Sequence, residues 1–356
     1  MPNRWCFSAL AVILIGALPS CRHADGGRIP QPAEVRTLQA ADVAALQDEP
    51  VWAYGFERPP QAGDVVKPQR PPSRSLRPGM SEEEQTRPRR VPGSSASYSL
   101  LDTYDDGNVI DWFPQDHPPM PSVVRHGPAS MGTLARGCAA CHLPNGKGRP
   151  ENSALAGLPV AYFLRQIDDF RAGLRRSSDP RKRNTPTMIA LARGMTDAEA
   201  RAAAEYYAAL PASPWLRVVE SDVAPSVRLS GNLYVVAGDG GTEPLAGRVL
   251  EVPEDEVQSE LLGNPRSGFV AYVSPASVAR GRALAATCSA CHGADLRGKD
   301  DIPPIAGRSP SYIARQLYDF RTGARKGSQA ASMQAMVTNL SAADITDLAA
   351  YVASIR

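Results

Sequence analysis

Apolar positions change their spacing three times along this chain, and each change marks a boundary. From Trp5 to Leu18 they run almost without interruption behind Arg4, a run of signal-peptide length that is too short for a good membrane-crossing helix. From Arg22 to Ser122 they lose any period. Fifteen of the 33 prolines fall there, with clusters such as residues 68–78 (PQRPPSRSLRP), and such a segment makes no ordinary core by itself. Trp52, Tyr54, Phe56, Trp112 and Phe113 stand out in it; they are expected to pin this arm onto the repeat that follows it or onto a partner.

Beyond residue 122 a helical period takes over. Tyr312, Gln316 and Phe320 stand at i, i+4 and i+8 of a helix over Tyr312–Thr322, and Val278–Thr287 carries apolar residues at helical intervals. Thr196 with Glu199, and Ser341 with Asp344, have the spacing of a capping box. They open two closing helices, Asp197–Leu210 and Ala342–Ile355, with Tyr206, Tyr207 and Tyr351 on the packed side. Between the helical stretches, Ser226–Val236 and Leu245–Val252 read as a β-hairpin around the glycine-rich loop Gly238–Gly241. A phosphate-cradling loop is not supported, because neither a helix nor a P-loop lysine follows.

The helical stretches are an internal repeat. A shift of 150 places lays Tyr162, Arg165, Gln166, Asp169, Phe170 and Arg171 over Tyr312, Arg315, Gln316, Asp319, Phe320 and Arg321. Past Gly173 and Gly323 the shift falls to 145, because the first copy carries an extra basic segment around Asp179–Asn184. The chain therefore reads as mainly α: a leader over 1–20, an extended proline-rich arm over 21–122, a first repeat over 123–213, a partly β linker over 214–273 and a second repeat over 274–356. A unit of this size is small for an apolar core, and a bulky apolar cofactor would supply what is missing.

Each repeat carries one chemical signature: Cys138, Cys141 and His142 in the first, Cys288, Cys291 and His292 in the second. CxxCH is the spacing of covalent haem attachment. Two thiols one helical turn apart meet the two vinyl groups, and the adjacent histidine lies under the iron as proximal ligand. A thioredoxin-like CxxC needs no following histidine, and a zinc ribbon needs its second pair much closer in sequence. Two covalently bound haem c groups are expected. The formal net charge of +2 speaks against a nucleic-acid binder, which concentrates Lys and Arg far more strongly.

The repeat resembles the class I cytochrome c domain, and the tandem resembles the dihaem cytochrome c4 family, over Pro128–Ala212 and Ser274–Arg356. The carrying motifs are YxxxQxxDFRxG and a methionine eight residues before the cap of the last helix. The resemblance implies a soluble or peripheral electron carrier with two low-spin haems, whose distal ligands map onto Met188 and Met333. Met195 and Met336 lie nearby, but the second copy has Leu340 at the place of Met195 and the first has Leu191 at that of Met336, so neither is shared. With His/Met ligation both axial positions are filled, which argues for electron transfer and against chemistry at iron. The other histidines are His23, His117 and His126, the last close enough to the first motif to be a rival ligand.

Two groups of polar residues keep two readings each. Tyr162, Arg165 and Gln166, with Tyr312, Arg315 and Gln316, serve haem propionates or form a solvated helix face. Arg175, Arg176, Arg181, Lys182 and Arg183 form a solvated loop or a patch that steers an acidic partner. Leu18-Pro-Ser-Cys21 resembles a lipobox, which would make Cys21 the lipidated first residue; ordinary cleavage nearby would leave it a free thiol. The expectation is a periplasmic, lipid-tethered dihaem protein that carries single electrons from a dehydrogenase or respiratory complex to a terminal oxidase or another cytochrome. One rival is a tightly bound cytochrome subunit of a periplasmic dehydrogenase, with the arm wrapped around the catalytic subunit. A second is a dihaem peroxidase, which needs an open or bis-histidine haem.

Overall fold

The structure, a computed structural model, describes residues 35–44, 46, 48–67 and 79–356. Cys6, the lipobox-like stretch with Cys21, His23 and the proline cluster of residues 68–78 lie outside the described residues. In the arm, β1 (Arg36–Thr37) pairs antiparallel with β2 (Val65–Val66), and five short helices follow the chain: α1 (Ala40–Val43), α2 (Val51–Tyr54), α3 (Glu82–Thr86), α4 (Leu100–Thr103) and α5 (Ser122–His126). The first repeat contributes α6 (Cys138–His142), α7 (Val160–Arg171), α8 (Asn184–Gly194) and α9 (Asp197–Ala208).

The linker builds a small β unit. β3 (Leu216–Glu220) lies parallel to β9 (Phe269–Val273), which pairs on its other side with antiparallel β8 (Leu250–Pro253). β4 (Val223–Pro225) pairs with β7 (Thr242–Pro244), and β5 (Val227–Ser230) with β6 (Leu233–Val236). The expected hairpin between Ser226–Val236 and Leu245–Val252 is not formed. Gly231 and Asn232 make a two-residue turn inside the first of those segments, the tightest hairpin connection available. Leu250–Pro253, buried at every position, pairs with the apolar strand β9.

The second repeat follows as α10 (Ser277–Leu284), α11 (Ser289–His292), α12 (Pro310–Arg321), α13 (Ala330–Val337) and α14 (Ala342–Ser354). Both expected capping boxes are present. The Thr196 and Ser341 side chains accept from the Glu199 and Asp344 amides, and each acid accepts from the cap residue's own N–H. α10 crosses α14 at Gly281, where a Cβ would collide with the Asp347 carbonyl oxygen. Asp347 holds the same crossing by accepting from Ser277 Oγ and from the Arg280 guanidinium. The first repeat has no such helix. Its counterpart, Ala129–Leu134, is a tight 3-10 turn broken at Gly132, and α5 packs on α6 and α9 in its place.

The arm lies only partly as expected. Tyr54 is fully buried in the second repeat: its hydroxyl donates to Asp319 Oδ1 at 2.8 Å and its ring meets Tyr318 edge-to-face at 6.3 Å. Phe56 accepts at its carbonyl from Tyr234 of the hairpin, and Trp52 packs where the second repeat meets the sheet. Trp112 and Phe113 form a separate cluster with Val91, Leu100 and Leu262, and the Trp112 indole N–H donates to the Leu262 carbonyl at 2.7 Å. The aromatic anchors therefore bind mainly the second repeat and the linker, and Phe56 also lies under Arg181 of the first repeat. The reason is hydrogen-bond supply: Asp319 and the Leu262 carbonyl satisfy the polar ends of Tyr54 and Trp112, which buried rings require.

Glu49, just before α2, has both carboxyl oxygens buried without a hydrogen-bond partner. Burial, reinforced by Asp179 and Asp319, pushes its pKa up from 4.5 to about 8. The folded chain thus keeps a proton that the unfolded chain gives up above 4.5. Its contribution is complete below that pH and is lost as pH rises toward 8. Thermal melts are expected to show stability declining from pH 5 to pH 9, and Glu49→Gln should flatten that decline; a parallel slope in the variant would refute the assignment.

Candidate cofactor sites and the domain interface

In each repeat one short helix carries the motif. α6 and α11 hold His142 and His292 buried, and each imidazole is fixed by the same backbone device. Assigned from the acceptor it faces, His142 Nδ1–H donates to the Ser153 carbonyl at 2.7 Å, and His292 Nδ1–H donates to the Pro303 carbonyl at 2.9 Å. Ser153 and Pro303 are themselves 150 residues apart. This bond sets the tautomer and leaves the Nε2 lone pair free for a metal. Burial pushes His142 down to about 4 and lowers His292 too, so both rings are neutral.

The four motif cysteines form no disulfide. Burial pushes Cys138 up to about 12 and raises Cys141 and Cys288. A redox dithiol depends on a lowered thiol pKa, so the pairs are not built for disulfide exchange. Among the described residues no group of three or more His, Cys, Asp or Glu side chains could hold a bare metal ion. The donor set instead suits a metal that arrives inside an apolar ring tethered by thioethers.

A cavity of about 640 Å³ fits that description. Its wall includes all eight residues singled out from sequence: Cys138, Cys141, His142, Met188, Cys288, Cys291, His292 and Met333. Phe163, Ile167 and Leu191 supply apolar wall in the first repeat; Ile313, Leu317 and Leu348 do so in the second. Met188 on α8 packs on Met131, Ala135 and Leu191, and Met333 on α13 packs on Phe320, Ala330 and Val337. The neighbouring methionines differ in setting. Met195 is buried in the first core, while Met336 is 47% exposed. His126 is exposed, with its ring on the Gly107 carbonyl, and is not on this wall.

Between the two halves of the cavity lies a polar seam with approximate two-fold symmetry. Residues 174–176 pair antiparallel with 324–326: Arg176 N–H donates to the Ala324 carbonyl and Lys326 N–H to the Leu174 carbonyl, both at 2.9 Å. Arg175 donates to Gln166, Tyr312 and Gln316, and Arg325 donates to Gln316, Tyr162 and Gln166. These bonds tie one repeat to the other, so Tyr162, Gln166, Tyr312 and Gln316 do not form a merely solvated helix face. Arg165 reaches across to Asp301, and Arg315 is buried with its guanidinium on the carbonyls of Ala53 and Pro150.

Part of the basic segment is also engaged within the chain. Arg181 grips the fully buried Asp179 and stacks 4.0 Å from the Phe56 ring. Lys182 is buried, with Nζ 3.4 Å from the Tyr54 carbonyl, and burial lowers its pKa far below the usual lysine range. Arg175, Arg181 and Lys182 therefore belong to the junction of repeats and arm and form neither a solvated loop nor a steering patch, while Arg176 is exposed. Sequence reading missed Arg325 and Arg308; the bridge between Arg175 and Arg325 shows that the shift of 150 persists a few residues beyond Gly173 and Gly323. Arg308 donates to the carbonyls of Ala154 and Ala156 across the seam.

Comparison with known proteins accords with this architecture. The family profile described as Cytochrome c matches residues 132–210 and 278–356. Cytochrome c-554(548) of Halomonas halodenitrificans is 45% identical over 69 residues, which are 19% of this chain and 83% of that protein. Cytochrome c4 of Pseudomonas aeruginosa is 42% identical over 77 residues, 21% of this chain and 37% of its own length, so the match spans little more than a third of that relative. A protein of Stutzerimonas stutzeri named thiosulfate dehydrogenase electron acceptor is 26% identical over 237 residues, 65% of this chain and 84% of that one. Two matching domains, each with its CxxCH motif on one cavity wall, place the chain in the cytochrome c family, as a dihaem c-type cytochrome that resembles cytochrome c4 and carries two covalently bound haem c groups.

Proposed function

We propose that the chain is a single-electron carrier whose two haem sites work as one unit. Each haem supplies a one-electron iron couple when bound. In this reading Cys138, Cys141, Cys288 and Cys291 provide the thioether tethers, His142 and His292 the proximal ligands, and Met188 and Met333 the distal ligands. The neutral Nε2 atoms and soft thioethers favour the reduced metal and raise its potential. A histidine and a methionine that both held the metal would leave no site on it for a substrate, which separates a carrier from a peroxidase. The observation that carries the proposal is the single cavity shared by both motifs, with a polar seam that fixes the two halves against each other.

The carrier reading is preferred over a dehydrogenase subunit because the aromatic anchors of the arm are spent within the chain, on the second repeat and the linker. The name of the Stutzerimonas relative as an electron acceptor supports the same choice. Among the described residues no helix is long and apolar enough to cross a membrane. We extend the proposal to export and to anchoring through Cys21, since acyl chains on that residue would tether an otherwise water-exposed protein.

A redox titration tests this reading. The holoprotein is expected to take up two electrons in one-electron steps, with no spectral change on adding carbon monoxide or peroxide; ligand binding at either haem would refute the filled-site carrier. In the same preparations Cys21→Ser should move the protein from the membrane to the soluble fraction, and unchanged fractionation would dismiss the anchor.

A further inference from the structure

The two halves of the cavity differ in how they meet solvent. Seven exposed residues on the wall belong to the second repeat, among them Thr287, Cys291, Ser332 and Met336, whereas in the first repeat Arg176 alone is exposed. The cause is the chain just before the first motif, the end of the arm together with the opening turns of the first repeat. In the first repeat Cys138 Sγ lies 3.4 Å from the Val123 carbonyl of α5, and Arg136 is ion-paired to Asp106. Gly137 N–H donates to the Asp106 carbonyl at 2.8 Å, and Leu191 is buried under Met131 and Ala135. In the second repeat Cys288, the counterpart of Cys138, is likewise half-buried, but Cys291 is exposed where its counterpart Cys141 is not, and Met336, at the place of Leu191, stands 47% exposed.

The open rim has a second property. From Ala283 to Cys291, and from Gly327 to Ala343, the chain contains no charged residue. The corresponding stretches of the first repeat hold Arg136, Lys182, Arg183, Arg193 and Asp197. We propose that this uncharged mouth, formed by residues 286–291 and 328–339, is the surface on which a redox partner docks, and that the first haem exchanges electrons with that partner through the second. The partner that fits is a protein with an uncharged, largely apolar contact face around its own one-electron centre. Against such a face Met336 buries apolar surface without stranding a charge. This rests on the carrier reading and adds a port to it.

Two probes of opposite charge locate the port: a cationic mono-haem cytochrome c, and the same protein succinylated to an anion. Oxidation of the reduced holoprotein by either probe is expected to change less than about twofold between about 0.01 M and about 0.3 M salt, because no local charge is there to be screened. Ala335→Glu should speed reaction with the cationic probe and slow it with the anionic one by about threefold at low salt. Thr133→Glu on the covered first repeat should change neither. Ala290→Glu repeats the test on the other side of the mouth, should the first variant lose its haem spectrum. A second readout is independent of turnover: with both proteins reduced, hydrogen exchange in 286–291 and 328–339 should slow on adding probe. A footprint on 105–135, or a larger effect of Thr133→Glu than of Ala335→Glu, would overturn the port. Failure of the wild type to exchange electrons with either probe would instead count against the carrier reading.

Discussion

Met188→Ala and Met333→Ala are each expected to remove about half of the methionine–iron charge-transfer absorption of the oxidised protein, and the double variant all of it. Each methionine lies on the cavity wall with a motif histidine, at matching places in the two repeats. Truncation to alanine removes the thioether altogether, so water or another donor must replace it, and the potential of the affected haem should fall because a soft neutral ligand favours the reduced metal. Met195→Ala and Met336→Ala serve as controls. The first removes a core side chain and should lower thermal stability; the second removes an exposed one; neither should change the band. Survival of the full band in Met188→Ala or Met333→Ala would rule out the ligand set.

Gly281→Ala is expected to be the most destabilising single-methyl change in the second repeat. The added Cβ would collide with the Asp347 carbonyl at the crossing of α10 and α14, and its next neighbour is the Tyr351 Cβ. Both are fixed by helices, so the crossing must open, at a cost of about 3 kcal/mol, the upper end of ordinary overpacking. A loss of that size would lower the melting temperature of a unit this small by about 10 °C or more. The comparison is Gly132→Ala in the first repeat, where φ is 52° but open space surrounds the site. With ψ at −128° the backbone there suits glycine, so strain alone costs about 1–3 kcal/mol, with no collision. A calorimetric trace in which Gly281→Ala melts like wild type would show that the crossing tolerates separation.

The seam explains why the two repeats are held together as one unit. Arg175 and Arg325 are charged donors satisfied by amide and phenol oxygens from both repeats. Losing either would leave Gln166 and Gln316 short of partners in a partly buried place, where an unmet hydrogen bond is costly. Arg308, buried on two carbonyls of the opposite repeat, adds a third clamp.

The sequence by itself determined the chemistry and the repeat, because both are written in short-range spacing. CxxCH needs only one helical turn to bring two thiols and an imidazole to one side. The capping boxes at Thr196 and Ser341 need three residues, and the helices follow from their 3.6-residue period. Met188 and Met333 stand out in the sequence because duplication supplies an internal alignment, and the fold places both on the cavity wall. What only the tertiary structure decided are relations between distant segments whose sequence carries no local signal. Tyr54 meets Asp319 across 265 residues of chain, and nothing near either residue announces the other. The charges of Arg175, Arg181 and Lys182 looked solvated because charge usually is; buried oxygens of the other repeat, of Asp179 and of the arm override that rule. The strand pairing went the same way, since a two-residue turn at Gly231 and Asn232 and a buried partner strand outweighed the more conspicuous glycine run. Local periodicity fixes elements, and hydrogen-bond and burial demands that close only in three dimensions fix their neighbours.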